Sequence, residues 1–433
     1  MELFVPPRIW RPVAAEYPED EAVRRIREVL TSSIGSFLDP ERLQAIAEDH
    51  GAVERRVKIH TGRLIVALIL SALRHAPDTE GRWLDAHTLY DRLGGPPVKP
   101  TALRTKIQQL EPTMRVLLRR RVFALQEGTP ALQGRLQNFA DVLIPDGCAF
   151  KIASALAGIL PGTGTPAEFK LHAVYSVRAG GLDDLATSAG SVHDTVGFDP
   201  DWVRAALYIW DLGYQDYDRF VAAVLAGAVP LQRLKDKLNP VVLAHYDADG
   251  KRHPLRGPGD TPLRLEDACA GGYVPTEGTL DFDVVIQDSQ GRKVEARVVC
   301  VPHQQQDRWY LTTLPRTCFT PFDVAEIYRV RWEVELFFRD LKGAVRLDEV
   351  TRLSNPSSLR VALLASLIAA TLGQELTRSL NTAHASLPGT EPEPNVIETL
   401  PRSPQVSPAR PSASFSSLST ARPGRRGERR RTG

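Results

Sequence analysis

The sequence predicts a mixed α/β protein, with an all-α segment before its core and a polar tail after it. Residues 1–137 show the apolar spacing and capping residues of helices, whereas strand-like alternation begins near residue 138. Between about 236 and 307, Gly-rich turns separate short strands. We therefore expect a helical domain over 1–137, an α/β domain over 138–382 with a β-rich insertion at about 236–307, and a disordered tail over 383–433.

Length and composition limit the class of protein. The chain has 433 residues, enough for two or three domains, and a formal net charge of +2. Its four cysteines include no C-x-x-C pair, which disfavours a disulfide framework or a zinc site and fits a reducing cytosol. The opening MELFVPPRIW lacks the apolar run of a signal peptide, and the apolar runs at 64–70 and 361–372 are too short to cross a membrane. We expect a cytoplasmic protein without a membrane partner.

The N-terminal segment predicts a series of helices. Asp39 before Pro40 indicates one helix start, and WLDAHTLYDRL predicts a later helix that ends at Gly94. A turn rich in Gly and Pro then precedes TALRTKIQQL, which carries Arg104 and Lys106. A helix, a turn and a second basic helix can form a DNA-reading element, which makes Arg104 and Lys106 candidate DNA contacts. A plain helical bundle with a solvated basic face explains the same residues equally well.

Two acidic residues follow strand-like runs in the next segment. FADVLIPD at 139–146 ends in Asp146, and LYIW at 207–210 is followed by Asp211 and then by a predicted helix at 216–226. DPDWVRAA, just before the second run, also predicts a helix. Carboxylates at the strand ends of one sheet can converge, which makes both residues candidates for a shared site.

The apolar strand pattern is then interrupted by a β-rich segment and resumes after it. VPLQRLK is predicted to be a strand that holds Arg233 and Lys235, and the β-rich segment after it carries the hairpin signals DADG and DSQG. RWYLTTLP at 308–315 resumes the apolar strand pattern. This return favours an insertion within one α/β domain, and a separate small β domain is the alternative.

The stretch PFDVAEIYRVRWEVELFFRDLKGA, residues 321–344, predicts one helix of about twenty residues, with Asp323 and Glu326 as a capping box. At about 100° per residue, a polar stripe lies beside the apolar face. The stripe consists of Tyr328, Arg331, Glu335 and Lys342. An amphipathic helix with ordinary ion pairs, such as Arg331 with Glu335, accounts for this helix taken alone.

Asp146, Asp211 and Glu335 together suggest a metal site built from distant parts of the chain. Hard divalent cations prefer oxygen ligands, and two Mg²⁺ ions roughly 3.5 to 4 Å apart are the standard device for phosphodiester displacement. Because carboxylates held this closely repel one another, we expect the cation-free site to be strained or mobile.

The polar stripe satisfies the signature Y-x2-R-x3-E-x6-K. Together with DLGY at 211–214, the R-L-K strand at 233–235 and the K-L-H strand at 170–172, this signature resembles the DDE transposases of bacterial insertion sequences, in particular the insertion-sequence-four branch. The resemblance extends from about Phe139 to Leu380. One departure is Gly147-Cys148 after the first acidic residue, where the family often has a hydroxyl residue.

The resemblance implies an RNase H-like fold in which Asp146, Asp211 and Glu335 bind two Mg²⁺ ions, with Mn²⁺ as a substitute. It implies that Tyr328, Arg331 and Lys342 contact DNA phosphates, a role that suits their side chains, and it adds Arg233 and Lys235 as candidate DNA contacts. The implied reaction is nicking at the terminal inverted repeats, hairpin formation and opening, and strand transfer into target DNA by a homodimer associated with the bacterial nucleoid.

The tail after about Asn381 is rich in Pro, Ser and Arg and lacks apolar periodicity, which predicts disorder. Its final GRRGERRRTG would add nonspecific affinity for DNA phosphates. A drifted reading frame explains the tail as well, because it would replace helices that related proteins use for pairing. The alternative function is therefore a decayed or inhibitory DNA-binding copy without a complete dimerisation region.

Overall fold

The structure, a computed structural model, describes residues 24–385 apart from 25, 54–57, 74–78, 128, 130, 133, 194–200, 235–237, 276–277, 304–306, 345–352 and 354. The predicted disordered tail and Lys235 lie outside the described residues. A π-helix at Leu30–Ile34 and a short helix at Gly35–Phe37 come before the longer helices. The longer helices are α1 Pro40–Asp49, α2 Thr61–Leu73, α3 Thr79–Arg92, α4 Pro100–Ile107, α5 Glu111–Glu127, α6 Tyr217–Leu225, α7 Leu265–Ala270, α8 Pro321–Arg329, α9 Trp332–Ala344 and α10 Pro356–Ala385.

The strands complete a mixed α/β architecture, as the sequence predicts at this coarse level. They are β1 Val142–Lys151, β2 Glu168–Ser176, β3 Gly181–Ala189, β4 Leu207–Trp210, β5 Val229–Arg233, β6 Val241–Tyr246, β7 Arg252–Pro254, β8 Leu263–Arg264, β9 Leu280–Gln287, β10 Lys293–Val301 and β11 Arg308–Thr312.

The chain forms two compact units. The first unit comprises the chain up to Tyr214 together with a segment that starts at Arg329, and it holds α1–α5, β1–β4, α9 and α10. The second unit contains Gln215–Tyr328, which includes β5–β11. The predicted domain boundaries at residues 137 and 382 stay predictions.

Four strands of the first unit are ordered β3-β2-β1-β4. β1 is antiparallel to β2, β2 is antiparallel to β3, and β4 joins the other side of β1 in parallel. β1 continues past Asp146, because its pairing with β2 extends to Lys151 opposite Glu168. The expectation that Asp146 follows the strand is therefore wrong: it lies in the middle of the strand.

The long helix α10 is the buried centre of the helical part of the first unit. Asn355 caps its start, since the Asn355 side chain accepts a hydrogen bond from the Ser358 amide at 2.9 Å. Arg121 of α5 is buried and pairs with Glu375, and Arg378 donates to the Leu125 carbonyl at 2.8 Å. The basic side chain of Arg121 therefore points toward α10 and not toward solvent.

α10 is longer than the apolar run at 361–372 that it contains. Its stretch Pro356–Ser379 has a mean hydropathy of 1.4 and is long and apolar enough to cross a membrane. Within its most apolar window, however, 72% is buried inside the protein. Contacts with α2 and α5 supply part of that burial, as expected for the core helix of a globular domain.

The second unit is a β-rich body with strand order β5-β11-β10-β9-β6-β7, in which β8 also pairs with β6. Both predicted hairpin signals form turns with a glycine in the left-handed region. Gly250 has φ 75° between β6 and β7, and Gly291 has φ 79° between β9 and β10. Since a Cβ disfavours such φ values, DADG and DSQG are suited to these positions.

The predicted helix at 321–344 is two helices. α8 ends at Arg329, α9 begins at Trp332, and Val330 and Arg331 form a turn between them. The sequence shows no Pro or Gly at this point, so the break does not arise from a residue that disfavours helix. Arg331 instead faces acidic partners that are described below.

Two local predictions near helix starts are also wrong. The capping box of α8 is Thr320 with Asp323, not Asp323 with Glu326, because the Thr320 amide donates to the Asp323 carboxylate at 2.9 Å and the Asp323 amide donates to the Thr320 hydroxyl at 3.2 Å. Residues 201–206 before β4 are not helical. Ala205 has φ 60°, and the Tyr208 hydroxyl accepts the Val203 amide at 3.0 Å, which holds this segment in a turn.

Candidate active site

Asp146 lies on β1, and Asp211 directly follows the adjacent strand β4 of the first unit. β1 and β4 run parallel, with Val142 opposite Leu207. Asp146 and Asp211 each lie four residues beyond this pair, which places them at the same level along the two strands. The parallel register therefore brings together two carboxylates that are far apart in the sequence.

Glu335 approaches the same place from the first turn of α9. α9 packs on β1 and β2, where the Phe337 ring lies 5.6 Å from the ring of Tyr175. This packing leaves Glu335 one-third exposed on the side of α9 that faces the strands. There its charge, like that of Asp211, acts on Asp146.

Arg331 lies among these carboxylates. Its Nη2 pairs with Glu335 Oε1, and its Nε lies 3.8 Å from Asp211 Oδ1. The guanidinium also acts electrostatically on Asp146. Arg331 thus contacts two members of the predicted acidic set and acts on the third through its charge.

The pKa of Asp146 is raised to about 6, chiefly because burial penalises its charged form. A hydrogen bond from the Gly147 amide at 2.8 Å and the charge of Arg331 oppose this rise, while the charges of Asp211 and Glu335 add to it. These electrostatic effects show that the three acidic groups share one environment.

The carboxylate groups of this cluster are suitable ligands for a divalent cation, but the present distances between them are not suitable. Carboxylate oxygens are the ligands that Mg²⁺ and Mn²⁺ prefer. Among the residues that the structure describes, no three His, Cys, Asp or Glu side chains stand close enough to hold a metal ion as they are. The Arg331 guanidinium stands in for a cation between Asp211 and Glu335, so the donor set suits a cation provided that Arg331 moves.

Lys342 lies beside Cys148 of β1, two residues beyond Asp146. Its ammonium hydrogen-bonds the Cys148 thiol and lies 5.2 Å from the centroid of the Phe150 ring. Burial raises the pKa of Cys148, which the charge and hydrogen bond of Lys342 partly oppose. Asp146, Cys148 and Phe150 alternate along β1, so they share one face of the strand.

Cys148 is not among the functional residues predicted from the sequence, although a usable signal is present there. Two-residue periodicity from Asp146 places the thiol on the face of the acidic residue. Its contact with Lys342, however, depends on the packing of α9 on β1, which the sequence does not specify.

The other predicted DNA contacts differ in how far they are buried. In the second unit, Tyr328 is buried with its ring 5.2 Å from that of Tyr310, and Arg233 is half-buried at the end of β5. Lys235 lies outside the described residues. The burial of the Tyr328 hydroxyl disfavours a phosphate contact in this conformation.

The two candidates on α4 have opposite environments. Arg104 is exposed, as a phosphate contact requires. Lys106 is only 9% exposed, and its ammonium donates to the Ala52 carbonyl and, at 3.3 Å, to Gln109 Oε1. The interpretation of Lys106 as a DNA contact therefore does not fit the structure, because the side chain is buried and already hydrogen-bonded.

Glu333, two residues before Glu335, is a buried carboxyl whose pKa is raised to about 7 by desolvation and by the charge of Asp340. Because the folded pKa lies above the unfolded one, Glu333 destabilises the fold increasingly as the pH rises from about 4.5 to 7. We expect Glu333→Gln to raise the free energy of unfolding at pH 8 by about 1–3 kcal/mol, and to leave it unchanged at pH 4.

Urea unfolding of the full chain at both pH values measures this difference. Glu127→Gln at the exposed end of α5 is the matched control, expected to change stability by less than about 0.5 kcal/mol at either pH. Equal effects of the two substitutions at pH 8 would contradict the assignment of a raised pKa to Glu333.

The sequence around this site is similar to known transposases. The transposase DDE domain family matches residues 141–372, which contain all three clustered carboxylates. Over 62 residues the chain is 39% identical to the transposase for insertion sequence element IS421 of Escherichia coli, and to the InsL proteins of insertion sequence elements IS186A and IS186B of Escherichia coli strain K12. Each of these matches covers 14% of this chain and 16% of the relative.

Proposed function

Because the chain belongs to the transposase DDE domain family, as the resemblance in its sequence predicted, we propose that it catalyses metal-dependent cleavage at the ends of an insertion sequence and strand transfer into target DNA. The observation that carries this proposal is the meeting of Asp146, Asp211 and Glu335 around one cationic side chain. The route by cut-and-paste, with a hairpin intermediate, is part of the proposal.

We also propose an RNase H-like core for the first unit. The order β3-β2-β1-β4, with three antiparallel strands followed by a strand parallel to the first, supports this assignment. In such a sheet the first and fourth strands are neighbours, which accounts for the proximity of Asp146 and Asp211.

Asp146, Asp211 and Glu335 would hold the divalent cations. Such cations, when bound, activate an attacking water or 3′-hydroxyl and stabilise the leaving oxygen of a phosphodiester. The carboxylates themselves would fix the cation positions, and β1, β4 and α9 supply the rigid elements that this requires. Mg²⁺ is the proposed ion and Mn²⁺ its substitute.

Phosphate binding is proposed for basic residues near the cluster and beyond it. Lys342 is exposed at the end of α9, where its point charge suits a DNA backbone. Arg104 and Arg233 are further candidates, whereas Lys235 stays a prediction from sequence. Tyr328 would need its hydroxyl to become exposed before it could join them.

The substrates and partners follow from the family as proposals. The relatives are named as proteins of insertion sequence elements, so we propose the terminal inverted repeats of such an element, and target DNA, as the substrates. A homodimer would hold the two ends together, and the protein would act in the bacterial cytoplasm at the nucleoid.

A cleavage assay tests the proposal. Full-length protein is incubated with linear DNA that carries the inverted repeats flanking its own gene, with Mg²⁺, with Mn²⁺ or with EDTA. We expect nicks confined to the repeat ends and dependent on the cation. Cleavage spread over the whole DNA would indicate a general nuclease instead, and binding of the repeats without cleavage under any condition would overturn the enzymatic function in favour of the decayed or inhibitory copy.

A further inference from the structure

We propose that Arg331 is a positioning residue that holds the Asp211 and Glu335 carboxylates together before a divalent cation binds, and that it must leave them when the cation arrives. The inference rests on the proposed function, since it concerns the same carboxylates. It goes beyond the phosphate contact that the resemblance implies for Arg331, because it gives this side chain a separate task in the protein without DNA.

The contacts of Arg331 reach two elements of the first unit. One nitrogen pairs with Glu335 on α9, and another lies 3.8 Å from Asp211 after β4. The Arg331 side chain is 19% exposed, compared with 43% for Asp211. A guanidinium carries five donors in a rigid planar fork, so it can serve two carboxylates at once in a fixed geometry that the compact ammonium of a lysine does not impose.

The position of Arg331 in the chain supports a tertiary task. It lies in the turn between α8 and α9, outside both helices. An ordinary ion pair on a helix surface needs no such break, since residues four positions apart already face each other. Among the ion pairs described for residues 321–344, Arg331 is the basic residue that pairs with Asp211 as well as with Glu335, and it lies in this turn.

Charge explains why the guanidinium is needed. Carboxylates held together without a cation would repel one another, and Arg331 is the cationic group that contacts both Asp211 and Glu335. Arg331 supplies one positive charge where a cation would supply two. Because the guanidinium and a cation would compete for the same oxygens, binding of the cation must displace Arg331.

Displacement leaves Arg331 available for a phosphate. Guanidinium groups bind phosphate oxygens through two parallel hydrogen bonds, so DNA offers the released side chain an equivalent partner. Under this scheme, cation and DNA favour each other's binding, since each stabilises the arrangement in which Arg331 has left the carboxylates. The prediction from sequence of a strained cation-free site is thereby revised: Arg331 relieves the strain.

The test measures Mn²⁺ binding to the full-length protein without DNA, by calorimetry, and the thermal midpoint with and without Mn²⁺. Arg331→Gln removes the competing charge, so we expect it to bind Mn²⁺ about tenfold more tightly than the wild type. Its midpoint without metal should fall by a few degrees and recover with Mn²⁺. Arg331→Lys, which keeps the charge but loses the fork, should fall between the two proteins in affinity.

Arg339→Gln is the matched control, because Arg339 lies on α9, the helix that follows Arg331, is 63% exposed and has Asp340 as its neighbour. It loses the same charge and should leave Mn²⁺ affinity within about twofold of wild type. Equal Mn²⁺ affinities for wild type and Arg331→Gln would overturn the inference. If Arg331→Gln does not fold, equal affinities for wild type and Arg331→Lys overturn it instead.

The outcome also separates this inference from the proposed function. Tighter Mn²⁺ binding by Arg331→Gln, together with a wild type that does not cleave the repeats, would support the positioning role and reject the enzymatic activity. Cleavage by the wild type with unchanged Mn²⁺ affinity in the variants would support the activity and reject the positioning role.

Discussion

Glu335→Gln is expected to lower cation-dependent cleavage of the repeat ends by about a thousandfold or more, while DNA binding is retained. The substitution preserves the size of the side chain and removes the charge that a cation would need. Glu335 is partly exposed and lies on the surface of α9, so the packing of Phe337 against Tyr175 should be undisturbed. The loss should therefore appear in the rate of cleavage and not in the amount of folded protein.

Single-turnover cleavage of labelled repeat ends measures the rate, and a gel-shift titration with the same DNA measures binding. Glu127→Gln serves as the control for the loss of one carboxylate in the same unit. Because Glu335→Gln also frees Arg331 from its ion pair, affinity for DNA should be equal to that of the wild type or higher. Cleavage at the wild-type rate would show that Glu335 is not part of the catalytic site.

The acidic cluster was predictable because each member has a local signature. An apolar run followed by an acidic residue marked Asp146 and Asp211, and the spacing of polar residues marked Glu335. The precise placement needed the parallel register of β1 and β4, a pairing between residues more than sixty positions apart in the chain. The continuation of β1 past Asp146 was missed, since it depends on pairing with β2 through Gly147.

The break between α8 and α9 had no local signature. Helix propensity favours a continuous helix through Val330 and Arg331, and no Pro or Gly interrupts it. Glu335 lies only four residues from Arg331, but Asp211 meets Arg331 only where β4 and α9 come together, so that contact is a consequence of tertiary structure. Lys106 illustrates the same limit, because a basic residue at an apparently exposed position is buried by its contact with Ala52, distant in sequence.

In the second unit, Asp281 is the centre of a buried network of charges. Arg297 binds both of its carboxylate oxygens at 2.9 and 2.6 Å, and Arg316 binds them at 2.9 and 3.1 Å. Arg297 also donates to the Phe319 carbonyl at 2.8 Å just before α8. Asp281 and Arg297 are both less than a tenth exposed, so neither charge can be solvated if the other is removed.

We expect Asp281→Ala to lower the free energy of unfolding of the second unit by about 3–5 kcal/mol, because it leaves a buried guanidinium without its counter-charge. Arg297→Leu should cost less, since Arg316 still neutralises Asp281. Glu295→Ala, at an exposed position on β10, should change stability by less than about 0.5 kcal/mol. Hydrogen exchange of the β9 and β10 amides measures stability within this unit. If Arg297→Leu proved as damaging as Asp281→Ala, the hydrogen bonds of Arg297, and not the compensation of its charge, would be the main source of stability.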